Sequence, residues 1–194
     1  MPLSVCLDAR VPVVRLTGEI DMNLALALLD ELALLHDYYQ YRLVELQIHS
    51  PGGDASALHY LIEQLAPWRK AEGRTLRTVG IGEVASAAAM LLSFGTNGHR
   101  AALKHSGLLY HAARTFYSAG VSQTGSDLRS KTKQLERWDK CFVDLMAEHI
   151  AGGDNEQEAS HRKKLRRLFQ RETYITPEEA CRLGLIDRVV ERGL

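Results

Sequence analysis

Short runs rich in β-branched residues alternate along this chain with longer stretches that carry apolar residues at helical spacing. Residues 11–17 (VPVVRLT) predict a first strand, ended by Gly18. Asp21 can cap a helix over residues 22–36, where leucines and alanines recur with a helical period. In residues 42–49, Val44, Leu46 and Ile48 alternate with Glu45 and Gln47, which predicts a second strand. The turn Ser50-Pro51-Gly52-Gly53 follows, and Asp54 leads into a helix with Leu58, Leu61, Ile62 and Leu65 on one stripe, expected to break near Pro67. A third strand is expected over 74–81, a short apolar helix over 86–94, and two short strands over 99–103 and 107–110. Residues 114–123 read as an extended surface excursion in which Phe116, Tyr117 and Val121 stand among small polar residues. A long helix over 126–150 carries Leu128, Leu135, Trp138, Phe142, Leu145 and Met146, and Gly152-Gly153 ends it. A basic helix over 155–170 follows, and Thr176-Pro177-Glu178-Glu179 opens a last short one through a capping box with Pro at the first helical position.

Strands alternating with helices in one unit predict an α/β fold with largely parallel strands. The 194 residues suit a single domain with a substantial core of its own, and 45% hydrophobic with 25% charged residues is a globular composition. Lys and Arg total 24 against 24 Asp and Glu. That balance argues against nucleic acid or an anionic membrane as partner. No apolar run approaches the ~20 residues that cross a bilayer, and the N-terminus lacks the pattern of a secretory signal. Cys6, Cys141 and Cys181 are scattered without metal-ligand spacing, which points to free thiols in a reducing, cytoplasmic setting.

Four places carry candidate chemistry. At Ser50-Pro51-Gly52-Gly53-Asp54 the proline fixes φ and the glycines permit unusual backbone geometry, so peptide N–H groups can face a cavity as an oxyanion or anion site requires. A tight strand-to-helix turn without a ligand explains the same residues. Ser86 stands between a strand and an apolar helix with small neighbours, as an exposed nucleophile needs; an ordinary helix N-cap is the competing explanation. His111, after the strand-like Gly107-Leu108-Leu109-Tyr110, has the residue type of a general base for a serine. Glu172 could orient an imidazole, although a Glu beside an Arg is more often an exposed ion-pair partner.

Taken in order, these elements resemble the proteolytic subunit of the Clp protease, ClpP, within the ClpP/crotonase superfamily. The family's Ser-Pro-Gly-Gly turn matches Ser50 to Gly53, and its Gly-x-Ala-Ala-Ser-Met-Gly-Ala nucleophile element lies over Gly82-Glu83-Val84-Ala85-Ser86-Ala87-Ala88-Ala89. Its strand-ending histidine corresponds to His111 in Tyr110-His111-Ala112-Ala113. Its C-terminal Arg-Asp-Arg-Phe-Leu-Ser-Ala-Pro-Glu-Ala element, with Gly-Leu-Val-Asp after it, resembles 171–180 with Gly184-Leu185-Ile186-Asp187. The likeness runs from about Val13 to Val190. Two substitutions stand out: Glu172 occupies the triad aspartate position, and Ala88 replaces the glycine two after the nucleophile.

The resemblance implies a ClpP/crotonase-type spiral of β-β-α units with a protruding handle helix. The chain would be one domain, with a head at about 11–111 and 172–190 and a handle at about 112–151. It implies a serine endopeptidase acting on peptides and unfolded proteins: Ser86 as nucleophile, His111 as base, Glu172 holding the imidazole, the N–H groups of Gly53 and Ala87 as oxyanion hole, and Gly52 and Gly53 against the extended substrate. No metal or organic cofactor is implied. A homo-oligomer is, as a heptameric ring or a double ring, with Phe116, Tyr117 and Val121 near the handle contact. A Clp-type ATPase would dock weakly or not at all, because residues 1–10 are short for the family's pore-lining segment. The rivals are a catalytically silent subunit with a structural or regulatory role, a crotonase-type acyl-CoA enzyme, and a Ser-Lys dyad drawing on Lys131 or Lys133.

Overall fold

The computed structural model describes residues 2–7, 11–70, 73–114 and 124–191. Phe116, Tyr117 and Val121 lie outside the described residues. Two compact units emerge, one formed by residues 1–110 with 173–194 and the other by residues 111–172.

The first unit is built on one eight-stranded sheet. Its strands are β1 (Leu3–Cys6), β2 (Val13–Thr17), β3 (Leu43–Ser50), β4 (Thr75–Ala85), β5 (Arg100–Leu103), β6 (Gly107–Leu109), β7 (Tyr174–Ile175) and β8 (Arg188–Val190). The main path runs β1-β2-β3-β4-β5-β8, with β6 pairing β4 and β7. From β2 to β8 the path is parallel, and β1 joins its edge antiparallel. The expected mixed α/β fold with largely parallel strands is present.

Besides the short strands β7 and β8, which the sequence did not announce, three features differ from expectation. Residues 3–6 form a strand ahead of the first one expected, because Val5 and Cys6 pair with Val14 and Val13. β4 runs to Ala85 rather than ending at 81. Its glycines and Glu83 interrupt the apolar alternation, yet the strand continues by changing partners: Thr78 to Gly80 pair with β5, and Glu83 to Ala85 pair with β6. Ser106, buried at the seam, closes the gap: its hydroxyl donates to the Gly80 carbonyl at 3.1 Å and accepts from the Gly82 N–H at 3.1 Å. Third, the helix expected to break near Pro67 continues to residue 70. So near a C-terminal end, the missing proline N–H frees only the Glu63 carbonyl, whose residue is exposed to water.

The helices are α1 (Met22–Ala33), α2 (Ala55–Lys70), α3 (Ala87–Ser93), α4 (Gly125–Ala151), α5 (Asn155–Arg171) and α6 (Pro177–Leu183). α1 is capped by Asp21, whose carboxylate accepts the Leu24 N–H at 2.8 Å, and it continues through a π-helical turn at Leu34–Tyr38. α3 is buried over its whole length and packs against β3, β4 and β5. α4 and α5 pack on each other in the second unit, burying Phe142, Val143, Met146 and Ala147 from one and Leu165, Leu168 and Phe169 from the other. α6 starts as the sequence suggests, with Pro177 at its first position and the Thr176 hydroxyl accepting the Glu179 N–H.

An ion pair between buried Arg100 and partly exposed Asp187 ties the far edge of the sheet. Asp187, in the turn before β8, holds the Arg100 guanidinium through both oxygens, at 3.0 Å to Nε and 2.6 Å to Nη2. The same carboxylate accepts the Arg100 N–H, and the Asp187 N–H donates back to the Arg100 carbonyl. Burial alone would raise the Asp187 carboxyl, but the hydrogen bonds and charge of Arg100 outweigh it and hold the group below its ordinary value. Stability from this shift is complete above the ordinary carboxylate range, near pH ~4, and is lost as pH falls through the depressed value. Asp187→Asn strands the Arg100 charge and is expected to cost about 3 kcal/mol at pH 7. Urea titrations from pH 7 down to pH 3 should then show the variant losing less stability on acidification than the parent protein.

Candidate active site

The end of β3 and the end of β4 meet through backbone atoms. After a register shift between Ile48 and Ser50, Ser50 pairs with Val84. The Ser50 hydroxyl is buried and accepts the Gly52 N–H at 3.0 Å, which starts the turn. Ile20 fixes its other side, donating to the Gly52 carbonyl at 2.7 Å and accepting the Asp54 N–H at 2.8 Å. At φ 156°, Gly53 lies so near this segment that a Cβ would sit 2.1 Å from the Ile20 carbonyl oxygen. At φ 103°, Gly52 lies against the nucleophile candidate: a Cβ there would sit 2.6 Å from the Ser86 Cβ and 2.7 Å from the Ala85 oxygen. Asp54 then caps α2, and its bonds from the Ser56 hydroxyl and the Ala57 N–H hold its carboxyl below the ordinary value.

Ser86 adopts φ 57°, ψ −126°, a conformation that favours glycine and costs a serine about 1–3 kcal/mol. The sheet enforces it: the Ser86 N–H donates to the Leu109 carbonyl at 2.7 Å, and its carbonyl accepts the Met90 N–H at 3.1 Å. Its side chain makes no capping hydrogen bond. The N-cap explanation for this serine therefore fails, since the hydroxyl does not serve α3. Gly52, Ser86 and Ala87 are brought together, the Ala87 nitrogen lying 3.0 Å from the point a Gly52 Cβ would occupy. Among the described residues, the N–H groups of Gly53 and Ala87 make no hydrogen bond, and Gly53 is exposed to water.

In the second unit, His111 is half-buried and its Nδ1 lies 2.5 Å from the Ala112 carbonyl oxygen. A carbonyl can only accept, so Nδ1 carries the proton in this contact, and in the neutral ring Nε2 then presents the lone pair. The following strap is tied twice: the Ala112 N–H donates to the Phe169 carbonyl of α5 at 3.2 Å, and the Ala113 N–H donates to Asp139 Oδ1 of α4 at 2.6 Å. Glu172 closes α5 in the left-handed conformation, at φ 49°. Its side chain is 52% exposed and pairs with Arg114 at 3.0 Å. Among the described residues, it makes no hydrogen bond to His111.

Asp139, which accepts the Ala113 N–H of the strap after His111, is a residue that the sequence analysis did not single out. A signal for it was present: it falls four residues after Leu135 and three before Phe142, a carboxylate on the apolar face of a long helix. Lys133 is exposed and Lys131 half-buried on the same helix. Among the described residues, no cluster of three or more His, Cys, Asp or Glu could hold a metal ion, and no helix is long and apolar enough to cross a membrane.

Comparison with known proteins identifies the family. The model of the family described as Clp protease matches residues 5–193. The chain is 33% identical over 183 residues to ATP-dependent Clp protease proteolytic subunit 2 of Thermobifida fusca, covering 93% of this chain and 81% of that one. To subunit 2 of Corynebacterium jeikeium it is 31% identical over 179 residues, covering 92% and 78%. To the ATP-dependent Clp protease proteolytic subunit of Borreliella afzelii it is 28% identical over 186 residues, covering 94% and 85%.

The close approach of Gly52 to Ser86 has a measurable consequence. Gly52→Ala forces a carbon into backbone and is expected to destabilise the fold by at least about 2 kcal/mol, from overpacking added to strain. Gly18→Ala is the control, since Gly18 also has positive φ (81°) but nothing within 4 Å of the added carbon. It should cost only the strain, about 1 kcal/mol. Equal urea midpoints for the two variants would contradict the close contact.

Proposed function

Because this chain belongs to the Clp protease family, we propose that it is a serine endopeptidase hydrolysing peptide bonds of peptides and unfolded proteins. The observation that carries the reading is Ser86 itself. A strained serine at a strand–helix junction, with no capping bond and packed against a glycine-rich turn, is built to expose a nucleophile.

The roles follow from the chemistry of each group. Ser86 Oγ attacks the substrate carbonyl carbon, and its proton passes to His111 Nε2, the nitrogen left free by the Ala112 bond. The tetrahedral oxyanion accepts hydrogen bonds from the N–H groups of Gly53 and Ala87, a type of contact worth about 3 kcal/mol of transition-state stabilisation. Collapse breaks the C–N bond, and the imidazolium returns its proton to the leaving amine. Water, deprotonated by the same nitrogen, then hydrolyses the acyl-enzyme and restores Ser86. Gly52 and Gly53 face the extended substrate backbone, and pairing of that kind tolerates many side chains. Glu172 is the carboxylate offered to the imidazole by the family pattern; in that role it exchanges its Arg114 partner for the histidine. The first unit is the head and the second carries the handle helix, and the working form is a homo-oligomeric ring.

A second reading, a catalytically silent subunit, is favoured by one observation: the Glu172 carboxylate is engaged with Arg114. A fluorophosphonate probe separates the two. The peptidase reading expects labelling at Ser86, and a silent subunit expects none. Ser86→Ala and His111→Ala should each lower hydrolysis of a fluorogenic peptide by at least about a thousandfold, with the double variant little worse than either. Activity surviving in Ser86→Ala would remove that residue from the mechanism. Glu172→Ala should lower kcat with little change in KM and leave stability within about 0.5 kcal/mol; an unchanged kcat would confine Glu172 to its pair with Arg114.

A further inference from the structure

One peptide unit stands between the imidazole and a carboxylate. The Ala112 carbonyl accepts the His111 Nδ1 proton at 2.5 Å, and the N–H at the other end of that same peptide, belonging to Ala113, donates to Asp139 Oδ1 at 2.6 Å. We propose that Asp139 is a positioning residue for His111, acting through the Ala112–Ala113 peptide that links them. The proposal rests on the reading of His111 as the general base.

The physical argument is one of polarisation. An anion accepting from the N–H end of a peptide draws its electrons toward the carbonyl, so the carbonyl oxygen becomes a stronger acceptor at its other end. The Nδ1–H tautomer is thereby favoured, and Nε2 keeps the lone pair that the base needs. As Nε2 takes a proton, the positive charge on the ring is met by a carboxylate one peptide away, and nothing has to move. The preceding peptide is held as well, its Ala112 N–H donating to the Phe169 carbonyl near the end of α5. Asp139 is half-buried on α4, whose neighbours Trp138 and Phe142 stack at 5.7 Å between ring centroids. Burial raises its carboxyl above the ordinary value, and the groups that draw it back down are the Ala113 N–H and the charge on His111. Glu172, more than half exposed and paired with Arg114, has no such path to the ring among the described residues.

Asp139→Asn separates this role from simple backbone support. The amide oxygen still accepts the Ala113 N–H, so the fold and strap are retained, but the charge is gone. In the full chain, kcat for a fluorogenic peptide should fall about tenfold with KM unchanged, and about a hundredfold in Asp139→Ala. ¹⁵N spectra of histidine-labelled, sedimented protein, with His111 assigned by His111→Gln, supply a readout that needs no turnover. The parent protein and Asp139→Asn should show His111 protonated at Nδ1, and Asp139→Ala should show a mixture of tautomers. Unchanged kcat in Asp139→Asn, or an unchanged tautomer in Asp139→Ala, would overturn the proposal. If the parent protein hydrolyses nothing and Ser86 takes no fluorophosphonate, the peptidase reading falls, and the tautomer comparison decides on the Asp139 contact by itself.

Discussion

The contact on which the site depends is between two stretches of backbone. Gly52 lies so close to Ser86 that no side-chain carbon fits between them, and Gly53 lies equally close to Ile20. Three separate segments, the end of β3, the end of β4 and the residues before α1, therefore converge on one turn whose residues have almost no freedom of side chain or dihedral. The long β4 makes this convergence feasible. By leaving β5 for β6 halfway along, it carries Ala85 far enough to set Ser86 beside the turn, and the buried Ser106 hydroxyl satisfies the backbone groups exposed by the switch. The strained dihedrals of Ser86 are a local cost that surrounding pairing holds in place, as is usual where strain and function coincide.

Much of this order could be read from the amino acids. Apolar alternation at Val44, Leu46 and Ile48 located β3, helical stripes located α2 and α4, and the glycines and proline after Ser50 marked a turn with special geometry. What could not be read depended on partners distant in sequence. Nothing within residues 80–85 says that a strand continues there, because its pairing is supplied by Leu108 and Leu109. β1 and β8 are short and gain their identity only from β2 and β5. Pro67 was misleading for the opposite reason: a local rule about proline applies with full force inside a helix and weakly a few residues from its end.

The site shows the same division. The strained junction at Ser86 and the turn beside it were legible because small residues, glycines and a proline mark each of them locally. The carboxylate was not, because any of several acids could approach an imidazole, and only coordinates show which do. Glu172 has the right place in the sequence order and an arginine for company. Asp139 has no motif around it, yet its position on the apolar side of α4 sets it against the strap that follows His111. A carboxylate placed among apolar residues is costly without a partner, and here the Ala113 N–H is that partner.

The discontinuous build of the first unit sets an order on synthesis. Its sheet edge is β8, held to β5 by pairing and to Arg100 by Asp187, 87 positions later in the chain. A ribosome emits residues 111–172 before it emits that edge. α4 and α5 can pair through contacts near in sequence while β5 still waits, with its hydrogen-bonding groups open on one side. During that interval β5 is an edge strand, paired with β4 alone and carrying two alanines that are buried in the finished fold, the kind of edge that recruits strangers. Arg100 stands at the head of β5, and until Asp187 arrives its charge is a gatekeeper against such pairing, so one side chain guards the nascent edge and then locks the finished one.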